Sequence, residues 1–435
     1  MGTAVSQNID FSRLWVKIIF NQTQGGLSCL ALEPGEGYMI TKQVILKKDR
    51  EKSVNNRHPW LFSGAISRLE GDPESGDIVD VWNSKARFVA RGVYNDKSQI
   101  SVRLLTWNPN DPIDEAFWKR RISRAVAGRS ALKQDPDTDA YRLVYSEADG
   151  VPGFIADLYG PWLIVQFLSL AVEKHRRPII NTLLELVDVQ GIFERSDTDA
   201  REKEGLVPVT GPVWGEVPPD LIEVMENGLT FLIDVKLGHK TGFYLDQREN
   251  RQRVSKYFAR KEVLNAFCYT GAFSVYAARA GADRIINVDT SARALKLAEN
   301  NILRNGFSGR EDIYSAADVF EVLRAYRDAN WKFDVIILDP PKFAISKHNI
   351  EKATSGYKDI NLLAMKLLKR GGTLITFSCS GAVSADLFQK VIFGASVDAV
   401  RTVQIIERLS QGSDHPVLVT CPETEYLKGL VCRVW

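Results

Sequence analysis

Three short stretches of this 435-residue chain carry residue types that can do chemistry. The first is Asp339-Pro340-Pro341-Lys342-Phe343, which follows the apolar run Phe333 to Leu338. Two prolines fix φ and remove N–H donors. A rigid turn would therefore present the Asp339 carboxylate to a planar, amide-like edge such as that of a nucleobase, with Phe343 available to stack. The second is Cys379, which ends the next apolar run, Gly372 to Ser378. A thiolate is a good adding group. By attacking C6 of a pyrimidine it would turn C5 into an enamine carbon able to take a methyl group, after which a base removes H5 and the thiol leaves. The third is Asp289 at the tip of Ile285 to Val288, where a carboxylate can accept hydrogen bonds from a ribose diol. Each has a plainer reading: a structural Pro-Pro corner, a buried strand-end thiol, or an acid in ordinary scaffolding.

The elements that must position these groups are legible around Val263 to Ser291. Val263 and Leu264 end a β-rich run, Asn265 to Gly271 turn sharply, and Phe273 to Ala280 has the alanine-rich composition of a helix. Ile285 to Val288 is a second strand. This is the first half of a nucleotide-binding βαβ unit, in which a tight turn and a helix N-terminus receive the ligand. The turn holds one glycine where the dinucleotide fingerprint G-x-G-x-x-G needs three. A ligand without a pyrophosphate fits better, and S-adenosylmethionine (SAM) is such a ligand. After Asp289 the alternation continues with a helix over 292–305, a strand over 313–315, a loop at Asp318-Val319-Phe320, and strands at 333–338, 372–378, 402–408 and 428–434. Function in such sheets gathers at the C-terminal strand ends, here Asn265 to Gly271, Asp289, Asp318, Asp339 and Cys379.

Size and composition bound the rest. The chain is too long for one ordinary core, so two or three domains are expected. It is 45% hydrophobic and 25% charged, and 56 Lys and Arg against 54 Asp and Glu give a net +2, which neither demands nor excludes nucleic acid. No window approaches the roughly 18 apolar residues of a membrane span, and no secretory signal is visible. The five cysteines are widely spaced with no C-x-x-C, so a reduced, cytoplasmic chain is expected, with neither a disulfide framework nor a metal site.

Residues 1–38 carry little pattern and read as an N-terminal extension. From 39 to about 107, four or five short strands with turn signals suggest a small β-barrel or sandwich. Within it Arg57 and Trp60 belong to a cation-and-aromatic mixture, Arg57 to Ile66, suited to phosphate contact and base stacking; Trp60 and Phe62 could equally be core. A boundary at Asn108 to Asp114 opens a central α+β module, 108–220. Its first helix, Glu115 to Leu132, carries Lys119, Arg120, Arg121, Arg124 and Arg129, a solvated face or an extension of an RNA footprint. Pro208 to Pro219 reads as a connector to the last domain, 221–435. Just before the main strand, Asp246-Gln247-Arg248 opens a helix that Asp246 or Gln247 can cap; lying directly upstream of the ligand turn, the segment is expected both to cap and to hold a charged ligand tail.

From about Ile40 to the terminus the chain resembles the bacterial 23S ribosomal RNA large-subunit methyltransferase I family of cytosine-C5 enzymes. The resemblance is most specific in GHKTGFYLDQREN, LNAFCYTGAF, VDTS, DPPKF, GYKDIN, TFSCSG and HPVLVTCPETEYLKGL. It implies a multidomain protein: an N-terminal PUA-like RNA-binding barrel, a central α+β module, and a C-terminal α/β Rossmann-like class I methyltransferase. It further implies that Asp246, Gln247, Arg248 and Phe267, Tyr269, Thr270 and Gly271 surround the methionine part of SAM, that Asp289 holds the ribose, and that Asp318 and Val319 sit at the adenine. Asp339 would orient the target base beside Pro340, Pro341 and Phe343, and Cys379 would be the nucleophile. Many RNA cytosine-C5 enzymes carry a second cysteine after the proline of the Asp-Pro turn. Here Lys342 stands in its vicinity and is grouped with Cys379 and Asp339 as the catalytic set. Expected partners are large-subunit rRNA, a ribosomal subunit or assembly intermediate, and a second copy of the chain in a homodimer.

Other readings compete. Asp-Pro-Pro turns also serve exocyclic-amine methylation, and related rRNA enzymes methylate guanine N7, neither of which needs Cys379. An RNA-binding assembly factor with an inactive methyltransferase fold would fail to bind SAM. A nicotinamide oxidoreductase is disfavoured by the single-glycine turn.

Overall fold

The computed structural model describes residues 42–343 and 350–435, and these contain three larger sheets. The leading segment, 1–38, lies outside the described residues. The first sheet has six strands in the order Trp60–Phe62, Ile100–Thr106, Phe88–Tyr94, Ile78–Trp82, Gln43–Leu46, Ile66–Glu70. It closes over a small core that includes Val44, Leu61, Val79, Val81 and Leu104. The outer strands at 60–62 and 66–70 have no clear sequence signal: one is three residues long, and the other, at the edge, is almost wholly exposed.

The central sheet runs Val209–Gly215, Gly191–Ser196, Trp162–Phe167, Phe154–Tyr159, Ala140–Tyr145. Here the connector expectation needs correcting. Residues 209–215 form an edge strand that pairs antiparallel with 191–196, a place where proline is tolerated because an edge strand need not donate every N–H. The arginine-rich helix, Glu115–Ala127, is also less of a free basic face than its composition suggests. Arg121 donates to the Leu105 carbonyl and Arg124 to that of Asp149. Arg129, just beyond it, is buried against the Asp149 carboxylate and the Asp414 carbonyl. Lys119 and Arg120 remain on the surface in ion pairs with Glu185 and Asp111.

The C-terminal sheet has seven strands: β1 (Glu262–Ala266), β2 (Arg284–Asp289), β3 (Ile313–Ala316), β4 (Phe333–Leu338), β5 (Leu368–Ser378), β6 (Val403–Ser410) and β7 (Lys428–Val434). Their order is β3-β2-β1-β4-β5-β7-β6. The first five pair in parallel in the doubly wound order, and β7 runs antiparallel between β5 and β6. The strands are nearly continuous apolar runs because both faces are covered. Val263, Val335 and Ile375 pack with Phe273 and Tyr276 on one side. Leu264, Ile336 and Leu374 pack with Tyr357, Ile360 and Phe388 on the other. The helices that accompany the strands are α1 (Arg248–Val254, before β1), α2 (Ala272–Arg279), α3 (Ala292–Arg304), α4 (Val319–Asp328), α5 (Ile350–Leu367) and α6 (Ala385–Ala399). Side chains cap several of them: Ser291 caps α3, Asp318 caps α4 and Ser384 caps α6. A two-stranded hairpin, Ile222–Glu226 with Leu229–Ile233, precedes α1 and contributes Val224 and Phe231 to a core shared with Tyr159 and Ile164 of the central sheet. No helix among the described residues is long and apolar enough to cross a membrane.

Candidate active site

The turn after β1 is wound more tightly than its glycine content suggests. Phe267 and Tyr269 have φ of 62° and 48°, and Gly271 has φ 72°. Left-handed backbone at two non-glycine residues costs about 1–3 kcal/mol each and persists where the surroundings enforce it. Part of that enforcement is Asp289 at the tip of β2, which accepts from the Tyr269 N–H at 2.8 Å and the Ser291 N–H at 3.0 Å. Gly271 is needed for space as well: a Cβ there would lie 2.6 Å from the Ala298 Cβ on α3. The Thr270 hydroxyl is buried with no partner.

Over this turn lies the segment 235–247. Arg195 of the central sheet anchors it through the Val235 and Gly238 carbonyls at 2.6 and 3.0 Å. The Thr241 hydroxyl adds a bond to Asp157 at 2.6 Å. His239 stacks on Tyr269 with centroids 4.7 Å apart. Asp246 is buried, its Oδ2 accepting from the Tyr426 hydroxyl at 2.5 Å and from Lys240 Nζ at 3.2 Å. Its Oδ1 is buried without a partner. Burial works against the Asp246 carboxylate, yet Lys240, His415 and the Tyr426 hydroxyl hold it well below the usual range.

The helix-cap reading of Asp246 and Gln247 needs correcting, because neither side chain caps a helix here. Gln247 Nε2 donates to Asp339 Oδ2 at 3.0 Å. Arg248 places both terminal nitrogens on Asp414, at 3.0 and 3.1 Å, so its guanidinium is committed to the loop that carries Asp414.

Asp339, just past β4, sits across from Asp246. Burial and the Asp246 charge push its carboxyl up to about 7, with the Gln247 amide opposing. Around neutral pH it is therefore divided between its protonated and ionised forms. Cys379 follows β5, the strand beside β4, and its sulfur lies 3.8 Å from the Pro340 carbonyl oxygen. Burial and Asp339 push its thiol up, against Lys240 and Lys342. Pro340 is buried, while Pro341 and Lys342 are exposed. The Phe343 ring lies 4.7 Å from Tyr357, 5.9 Å from Phe320 and 6.5 Å from Phe267, so it forms the wall of an aromatic cluster. Val319 is buried beside it. Asp318 uses Oδ1 to cap α4, accepting from the Phe320 and Glu321 N–H groups at 2.7 and 3.2 Å.

The sequence therefore brings Asp246, Gln247, Asp339 and Cys379 to one sheet edge, with the 267–271 turn and Asp289 beside them. Arg57 and Trp60 lie elsewhere, on the first sheet. Arg57 is exposed at φ 61°. Trp60 is half-buried, and its indole N–H donates to Glu147 of the central module at 2.8 Å. Of the ring pair left open in the sequence, Phe62 is the exposed member, at 49%.

Four site residues escaped assignment. Lys240, Asp414, Tyr426 and Lys428 lie in or beside GHKTGFYLDQREN and HPVLVTCPETEYLKGL, but nothing in their spacing ties them to a strand end. Asp414 and Tyr426 arrive through the 411–427 loop, Lys240 through the 235–247 segment, and Lys428 at the start of β7. That loop also brings Glu423 to His58 at 3.1 Å, with the Cys421 sulfur 3.5 Å from the same carboxylate. Burial and the neighbouring Glu147 and Glu423 push that thiol up to about 12, which suits a hydrogen-bonded cluster.

Comparison with known proteins agrees with this geometry. Residues 44–107 match the family of PUA-like domains, and residues 211–432 match the family of S-adenosylmethionine-dependent methyltransferases. The chain is 50% identical over 393 residues to the ribosomal RNA large subunit methyltransferase I of Shewanella amazonensis, covering 90% of this chain and 99% of that protein. Its identity to the protein of the same description from Escherichia coli O9:H4 is 46%, over 91% and 100% of the two chains. Among solved structures, a candidate SAM-dependent methyltransferase from Streptococcus mutans superposes with a TM-score of 0.79 at 22% identity, over 90% of this chain and 99% of its own. That likeness carries the fold.

Proposed function

The chain belongs to the ribosomal RNA large subunit methyltransferase I family, and from that premise we propose that it methylates C5 of a cytosine in large-subunit rRNA through a covalent bond between Cys379 and C6. The observation that carries this reading is the pairing, at one sheet edge, of a carboxyl at the end of β4 (Asp339), pushed up to about 7, with a thiol at the end of the adjacent strand β5 (Cys379).

The residues present fit SAM. The buried, unpartnered Asp246 Oδ1 and Thr270 hydroxyl are acceptor and donor left over for an amino-acid tail. Asp289 keeps lone pairs for a ribose diol beyond its two backbone bonds, and Val319, Phe320 and Phe267 offer apolar surface for a base. When bound, the cofactor supplies an electrophilic methyl carbon for the activated ring.

The chain's own groups prepare that ring. The Cys379 thiolate forms a bond to C6, the displaced electron pair moves toward N3, and the Asp339 proton is given there. This leaves C5 nucleophilic. After methylation a base takes H5, the C6–S bond breaks, the thiolate is set free, and the N3 proton returns to Asp339. The half-buried setting of Asp339 strengthens its hydrogen bond. The first sheet, with Arg57 and Phe62 on its surface, is the part of the chain suited to holding rRNA, met in the cytoplasm either free or within an assembling subunit.

One observation favours a second reading. A thiol pushed up in pKa is a poor nucleophile until it is deprotonated, and transfer to guanine N7 or an exocyclic amine needs no thiol. The test is a labelled-SAM transfer assay on unmodified large-subunit rRNA, comparing wild type with Cys379→Ala and identifying the labelled nucleoside by mass. Label in 5-methylcytosine that vanishes in the alanine protein is expected. Label in another base, or full transfer by Cys379→Ala, would discard the cysteine mechanism.

A further inference from the structure

Lys428 opens β7 at the reacting edge of the sheet, and no step described so far uses it. Its Cα pairs with Ser378 on β5, so it approaches the Ser378-Cys379-Ser380 turn from the side opposite β4 and Asp339. The residue is buried, 8% exposed. Its Nζ donates to the carbonyl of Ser380, the residue after Cys379, at 2.8 Å. Among the described residues no carboxylate lies at ion-pair distance from it; Glu425 acts on it from further away. A buried ammonium without an anion is costly, and proteins relieve it by neutralising the group or supplying a partner. Burial, with Lys342, pulls this amine down to about 8 against Glu425 and Cys379. The Cys379 thiol, one residue before that carbonyl and within electrostatic reach of Lys428, has the converse problem. Burial, Asp339 and Asp246 hold the proton on sulfur, while Lys240 and Lys342 pull the other way from more exposed positions. Cys379 must lose a proton to react, and Lys428 lacks an anion.

Taking Cys379 as the nucleophile, we propose that Lys428 is the proton acceptor that activates it: the S–H bond breaks, an N–H bond forms at Nζ, and the electron pair stays on sulfur. The thiolate and the ammonium then stand as a buried pair at the end of β5 and β7. When product leaves and the C6–S bond breaks, the electron pair returns to sulfur beside the same ammonium. The next turnover begins with the thiolate already formed. This also gives the site a cation held in place, which the exposed Lys342 is not.

The test reads thiol ionisation and not turnover. The full chain is alkylated with iodoacetamide across pH 6 to 10, and the rate at Cys379 is followed by mass spectrometry of its peptide, in wild type, Lys428→Met and Lys428→Arg. Calorimetric binding of SAM shows that each variant is folded. In Lys428→Met the thiol should titrate at least one unit higher, so that alkylation near pH 7.5 slows about tenfold. In Lys428→Arg the guanidinium cannot take a proton, so the low-pH reactivity should stay lost. A Lys428→Met profile that superimposes on wild type overturns the proposal, as does a Lys428→Arg profile that matches wild type, which would leave the residue a fixed cation only. Loss of the cysteine mechanism itself would show separately, as methyl transfer surviving in Cys379→Ala with the alkylation profile unchanged.

Discussion

Asp246→Asn separates two roles that the geometry gives to one carboxylate. The substitution keeps the shape and the acceptor for the Tyr426 hydroxyl, but removes the charge beside the unpartnered Oδ1. If that oxygen receives the amino group of SAM, a hydrogen bond to a charged group is lost, worth about 1.5–3 kcal/mol. This weakens binding about 10- to 150-fold. S-adenosylhomocysteine carries the same amino group and lacks the sulfonium, so calorimetry should show both ligands weakened alike. The second effect is at a distance. Part of what pushes Asp339 up to about 7, after burial, is the Asp246 charge. Neutralising Asp246 lowers the Asp339 pKa, so the protonated carboxyl is lost at lower pH. In kcat/KM for the cofactor, which reports the free enzyme, the alkaline fall attributable to Asp339 should move to lower pH in Asp246→Asn. Binding of both ligands within twofold of wild type would refute the amino-group role. Weakening confined to SAM would place the sulfonium, not the amino group, at Asp246, and an unmoved alkaline limb would refute the coupling to Asp339.

Two further substitutions test the frame of the site. Gly271→Ala forces a side chain into φ 72° and a Cβ to 2.6 Å from that of Ala298; a loss of about 1–3 kcal/mol is expected, seen as a lower melting temperature and a smaller upward shift on adding SAM. Asp414→Asn breaks a buried pair with Arg248, a change of about 3–5 kcal/mol, read as a lower urea midpoint at neutral pH. Burial opposes the Asp414 charge, but His415 and Arg248 hold its pKa well below the usual range. Its contribution is therefore present above the unfolded value of about 3.9 and fades as pH falls below it, so wild type and Asp414→Asn should converge in acid.

Periodicity and strand ends carry what is legible in the order of residues. The buried parallel strands announce themselves as continuous apolar runs, and the chemistry sits where they stop, so Asp289, Asp339 and Cys379 stand out from their positions in the chain alone. Contacts between modules do not, because they join residues hundreds of positions apart. Arg129 looks like one more cation on a helix face until Asp149 and Asp414 are seen around it. Residues 209–215 look like part of a connector because Pro208 to Pro219 is rich in proline and glycine, while their partner strand lies outside the local window. Lys240, Tyr426 and Lys428 carry no local signal of a role, since each acquires its function only through a neighbour from another segment.

Asp414 accepts from Arg248 on α1 and from the Arg142 N–H of the central sheet, and its carbonyl accepts from Arg129. Glu147 in turn accepts from Trp60 and Arg103 of the first sheet. Surfaces locked together by buried charges have few internal degrees of freedom. If the first sheet holds RNA as proposed, a chain built this way acts as a gauge: the span between that surface and the candidate pocket is set before any RNA arrives. Choosing a target then becomes a matter of offset along a folded nucleic acid, and the bending needed to seat a nucleotide has to come from the RNA.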